Sequence, residues 1–129
     1  HLGKQPVVLS FFATWCRPCE VELPLLERER VRLAGTGLVV AAIAIDGPET
    51  AAQIPAVVRR LKLGFPVLHD ADSAVVSRYN PRRGVPYLVL VDRGGRIVRE
   101  REGWSQEHAR TLPGEIEAIA GKPASGPDR

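Results

Sequence analysis

The chain has 129 residues, 44% of them hydrophobic and 26% charged, with a net charge of +3. That is enough for one soluble globular domain with a single core. The 15 Arg and 3 Lys are scattered among 15 acids, with no basic stripe interleaved with aromatics, which argues against a nucleic-acid partner. No apolar run approaches the roughly 20 residues of a membrane-spanning helix. No signal peptide is visible, but the chain begins at His1 and contains no Met. It therefore implies an upstream segment: a signal, an anchor or a trimmed tag.

Residues 7–13 are almost all apolar and predict a central strand covered on both faces. Residues 17–34 predict a helix with Leu23, Leu26, Arg30 and Leu33 on one stripe, kinked at Pro24 and ended by Gly35-Thr36-Gly37. Residues 38–45 predict a second buried strand, which completes a right-handed βαβ unit. After the turn Asp46-Gly47-Pro48, a helix over 49–62 presents Ile54, Val57, Val58 and Leu61, with Pro55 disturbing it. A short strand over 65–69 and a short helix over 72–79 follow. Residues 86–91 and 96–103 predict two strands joined by a hairpin at Asp92-Arg93-Gly94-Gly95, the second with apolar Ile97 and Val98. Ser105 caps a last helix over 105–120, and 121–129 predicts a disordered tail after a single domain over 1–120.

The two cysteines fall in Trp15-Cys16-Arg17-Pro18-Cys19, between the first strand and the first helix. A helix N-terminus offers unpaired N–H groups and partial positive charge, which stabilise a thiolate. Cys16, at the exposed leading end, is placed to attack a disulfide, and Cys19, one turn on, to resolve the mixed disulfide. Pro18 pre-sets the helix start. Arg17 adds a fixed positive charge beside the thiols. Trp15 forms a rim that could shield the sulfurs, offer a flat docking surface or simply pack. A zinc site would need two more ligands, and His1, His69 and His108 are widely scattered. The binding-class alternative is a copper- or zinc-handling module using the same cysteines. Peroxide reduction is weaker, because no separate peroxidatic cysteine exists beside the dithiol pair.

The strand, Trp-Cys-x-x-Cys and helix unit resembles thioredoxin over essentially residues 6–120. Pro24 matches that family's helix-kinking proline, Gly84-Val85-Pro86 its cis-proline loop, and Asp92-Arg93-Gly94-Gly95-Arg96-Ile97-Val98 the hairpin that follows. Phe11-Phe12-Ala13-Thr14-Trp15-Cys16-Arg17-Pro18-Cys19-Glu20-Val21-Glu22-Leu23-Pro24 is similar to the signature of the TlpA/ResA branch. The helix and strand between Cys19 and Pro86 match the insert of that branch.

The resemblance implies a thioredoxin-like α/β sandwich, a central mixed sheet with helices on both faces. It implies a thiol–disulfide oxidoreductase that reduces disulfides of exported proteins, as in cytochrome c maturation or thiol repair. The implied protein is extracytoplasmic and monomeric, needs no dissociable cofactor, and draws electrons from an upstream dithiol protein, such as a membrane protein. Ser10 stands where thioredoxin has a buried acid, and Glu22 where this branch places an acid near the resolving cysteine. Glu22 is therefore expected to be desolvated, raised in pKa and able to take the Cys19 proton. Val85-Pro86 is expected to be cis and to dock an extended substrate by its backbone. Tyr87 departs from the small hydroxyl residue usual after this proline, and Arg82 and Arg83 precede the loop, facing either a partner or solvent.

Overall fold

A computed structural model of the protein describes residues 5–70 and 84–121. The element order is β1 (Val7–Phe12), α1 (Cys19–Arg32), β2 (Val39–Ala44), a 3-10 turn (Ala51–Gln53), α2 (Ile54–Leu61), β3 (Val67–His69), β4 (Tyr87–Val91), β5 (Ile97–Glu102) and α3 (Gln106–Ala120). The helix expected over 72–79, Arg82, Arg83, His1 and the tail 122–129 lie outside the described residues.

The strands form one mixed sheet in the order β3-β2-β1-β4-β5. β1, β2 and β3 run parallel, while β4 is antiparallel to β1 and β5 to β4. Strand alternation sorts the core into two clusters. Val8, Phe12, Val40, Ala42, Ala44, Leu88 and Leu90 point to one face and pack with α1, α2 and α3. Phe11, Ile43 and Val89 point to the other and are equally buried, with Tyr87 packed against them. β1 is thus central and, Ser10 apart, apolar on both faces, as a strand covered on both sides must be.

Local chemistry sets the element ends. α1 begins at Cys19 rather than near Arg17, because the preceding turn closes by i+3 bonds: Glu20 N–H to Arg17 O (2.9 Å) and Val21 N–H to Pro18 O (3.1 Å). Pro24 lies within α1, where it has no N–H to donate to the preceding turn. At the other end the Thr36 hydroxyl donates to Leu33 O at 2.7 Å.

Pro55 does not disturb α2. It occupies the first turn, where a missing N–H leaves no bond unmade, and the residues before it form the 3-10 turn instead. Lys62 ends α2 in the left-handed conformation (φ 56°). Asp92 organises the β4–β5 hairpin by accepting from Gly94 N–H (2.9 Å) and Arg96 N–H (3.0 Å), while Gly95 takes φ 86°. Ile97 and Val98 are not core residues: β5 is an edge strand, and they are 45% and 50% exposed. Ser105 caps α3 by accepting from His108 N–H at 3.2 Å.

Ion pairs tie the helices together. Arg32 bridges Glu29 on its own helix to Glu117 of α3. Arg60 of α2 grips Glu20 in the first turn of α1 through two hydrogen bonds, holding that carboxyl below the usual range. These surface pairs orient the helices more than they stabilise them.

Candidate active site

β1 ends at Phe12 and the chain turns at once, with Cys16 N–H donating to Ala13 O at 3.1 Å. The turn delivers Cys16 to the head of α1, where it forms a disulfide with Cys19. The N–H of Cys19 also donates to Cys16 Sγ at 3.2 Å, so the sulfur takes a bond from the helix N-terminus. The same donor would stabilise a Cys16 thiolate in the reduced protein.

The sequence places Cys16 at an exposed leading end, but the structure buries it. It retains 5% of its surface and Cys19 only 1%, because the turn folds both into the main core cluster. The order of access still favours Cys16 as the attacked and attacking sulfur. Trp15 is 60% exposed, which removes the packing reading and leaves its indole facing solvent. Arg17 and Pro18 are exposed beside it.

Glu22 lies one helical turn beyond Cys19, a spacing that puts the two side chains about 5–6 Å apart at Cβ. Its carboxyl is 1% exposed and accepts the Ser10 hydroxyl at 2.5 Å. Burial pushes its pKa from the usual 4.5 to about 7, against the Ser10 hydrogen bond and the positive charge of Arg101, which both draw it down. The register explains that set of neighbours. Ser10 pairs with Leu88 and Leu88 with Arg101, so the three stand side by side on the face that α1 covers. Arg101 is itself held by Glu115 of α3 at 3.0 Å. Sequence reasoning found Ser10 and Glu22 but not Arg101, whose approach depends on strand register.

The Val85–Pro86 peptide bond is cis. β1 and β4 pair as far as Phe11 with Tyr87, so Pro86, the residue before Tyr87, lies at the same end of the sheet as the turn that follows Phe12. The loop therefore flanks the turn that carries Cys16. Pro86 O accepts Gly103 N–H at 2.7 Å, which fixes the loop to the end of β5. Tyr87 faces the other side of the sheet, its ring 6.1 Å from Phe11 and its hydroxyl on Glu100. Burial, then Glu100, push its pKa up to about 12, so it serves as a hydrogen-bond donor near neutral pH.

One buried network went unread in the sequence. Asp46, at the end of β2, is 1% exposed. Its carboxylate accepts Thr14 N–H (3.0 Å), the Thr14 hydroxyl (2.5 Å) and the Thr50 hydroxyl (2.6 Å). In the sequence Asp46-Gly47-Pro48 reads only as a turn. Among the described residues no group of three or more His, Cys, Asp or Glu is placed to hold a metal. No described helix is long and apolar enough to cross a membrane.

Comparison with known proteins places this geometry. The thiol-disulfide oxidoreductase ResA of Bacillus thuringiensis is 31% identical over 97 residues, which is 75% of this chain and 54% of ResA. The chain thus spans about half the length of that curated relative. A secreted Mycobacterium tuberculosis disulfide oxidoreductase homologous to E. coli DsbE superposes with a TM-score of 0.74 at 27% identity, covering 91% of this chain and 83% of that one. A Chlorobium tepidum protein described as a thiol:disulfide interchange protein DsbE superposes with a TM-score of 0.81 at 24% identity, covering 92% of this chain and 82% of that one. This last likeness supports the fold alone, and the fold is the thioredoxin-like one that the motifs resemble. The model of the AhpC/TSA family matches residues 1–100, and on that match, with a thioredoxin-like sheet and a Cys-x-x-Cys helix start beneath it, the chain belongs to the AhpC/TSA family of thioredoxin-like proteins.

Proposed function

We propose that this protein is a thiol–disulfide oxidoreductase that reduces disulfides of exported proteins. The observation that carries the reading is the Cys16–Cys19 pair at the head of α1, backed by a buried carboxyl at Glu22. In the reduced protein the Cys16 thiolate attacks one sulfur of a substrate disulfide and the other leaves as a thiolate. Glu22, with a pKa of about 7, takes the proton of Cys19. The Cys19 thiolate then attacks Cys16 Sγ and expels the second substrate thiol. Two electrons pass to the substrate, and the protein is left with the disulfide seen here.

Trp15 and Pro18 form the rim against which the substrate lies, and the Val85-Pro86 backbone holds it as an added strand. The domain works as one unit over 1–120, as a monomer outside the cytoplasm. The two sulfurs store the electrons, so the reaction needs no dissociable cofactor, and an upstream dithiol protein restores the reduced state. No specific observation favours metal delivery.

A cysteine-trapping experiment tests this. Cys19→Ser accumulates a mixed disulfide with a disulfide-containing protein, and Cys16→Ser does not. Trapping through Cys19 in the Cys16→Ser variant reverses the assignment, and no trapping in either refutes the exchange reaction.

A further inference from the structure

We propose that Asp46 is a positioning residue for Cys16, acting through Thr14; the proposal rests on the oxidoreductase reading above. Asp46 lies 30 positions after Cys16 in the sequence, yet its carboxylate holds both the backbone N–H and the hydroxyl of Thr14, two residues before the cysteine.

Further hydrogen bonds tie the network to its surroundings. Thr50 donates to the same carboxylate from the start of the segment leading into α2. Ile45 N–H donates to Phe12 O at 2.8 Å, so the strand end that carries Asp46 is stitched to the strand end that carries the turn. His69, at the end of β3, approaches Asp46 O through Nε2 at 2.8 Å. A carbonyl can only accept, so that nitrogen bears the proton.

Among the described residues Asp46 has no ion pair, and its carboxylate accepts from neutral donors. Burying a charge in this way is costly, and a turn held only by backbone bonds would avoid that cost. What the carboxylate adds is a fixed angle between β1 and the turn. Two bonds to one residue, one from the backbone and one from the side chain, stop Thr14 from rotating, and Cys16 follows through its bond to Ala13 O. Attack on a disulfide requires the sulfur to meet the S–S axis in line, so a turn free to rock lowers the rate without removing either thiol.

The test uses the full chain in its reduced form with dithiobis-nitrobenzoate, a small aromatic disulfide that needs no protein docking. The Cys16 thiolate forms a mixed disulfide with the probe and releases one coloured thiolate. Cys19 then resolves it and releases a second. Failure of the wild type to release both thiolates and close its disulfide sinks the oxidoreductase reading and is recognised before any variant is compared.

With the wild type active, Asp46→Asn and Thr14→Val each slow the first release by about tenfold, short of the roughly hundredfold that an atomic-scale misplacement can cost. Thr14→Ser, which keeps both donors, restores the wild-type rate. The double variant Asp46→Asn with Thr14→Val is no slower than the slower single variant, because both changes break one clamp. Should one variant fail to fold by circular dichroism, the other decides. Wild-type rates in the folded variants, no rescue by Thr14→Ser, or effects that multiply in the double variant overturn the proposal.

Discussion

The raised pKa of Glu22 makes a thermodynamic prediction independent of any substrate. Burial is its first cause, so the carboxyl binds its proton more tightly in the folded state than in the unfolded chain. The folded state then holds more protons than the unfolded state between the unfolded pKa of 4.5 and the folded value of about 7. Stability therefore falls as pH rises through that window. Each pKa unit is worth 1.36 kcal/mol, so the full loss is about 3 kcal/mol, a large share of the 5–15 kcal/mol typical of a domain.

Glu22→Gln removes the titration and keeps an oxygen that can accept the Ser10 hydroxyl. Any fixed cost of burying the amide is the same at every pH. The stability difference, variant minus wild type, should therefore rise by about 3 kcal/mol from pH 4 to pH 8. Urea unfolding of both proteins in the oxidised state, where no thiol titrates, measures it. The other carboxyls contribute equally to both and cancel. A difference that stays flat across the window refutes the burial argument and with it the role of Glu22 as an acceptor tuned to neutral pH.

Ser10→Ala removes a hydrogen bond that draws Glu22 down, so the upper end of the same stability step should move above pH 7; an unmoved step would mean Ser10 does not hold the carboxylate. Leu26→Ala, which empties a fully buried position on α1, should cost about 2–5 kcal/mol in urea unfolding. Arg17 is exposed and screened, whereas Glu22 acts through a drier medium and opposes thiolate formation nearby. Equilibration against glutathione should accordingly give a potential nearer roughly −270 mV than roughly −120 mV. A value above about −180 mV would make the protein a disulfide donor.

What the sequence determined by itself was local in kind. Residues 7–13 and 38–45 announce buried strands because both faces need apolar side chains, and Cys16 and Cys19 announce their chemistry because three residues set one helical turn. The serine cap of α3 and the aspartate of the β4–β5 hairpin follow from hydrogen bonds to backbone within four residues. Glu22 was legible only through the resemblance, since a helical glutamate is ordinarily solvated. The tertiary structure decided the rest. It set Pro55 at a helix start, left Ile97 and Val98 on an edge strand, and folded Cys16 inward. It also brought Arg101 toward Glu22 through the register of three strands, and Asp46 beneath Thr14 through the parallel pairing of β1 with β2. No periodicity encodes such meetings. They depend on which strands become neighbours, and that is set by burial of the whole sheet rather than by any one segment.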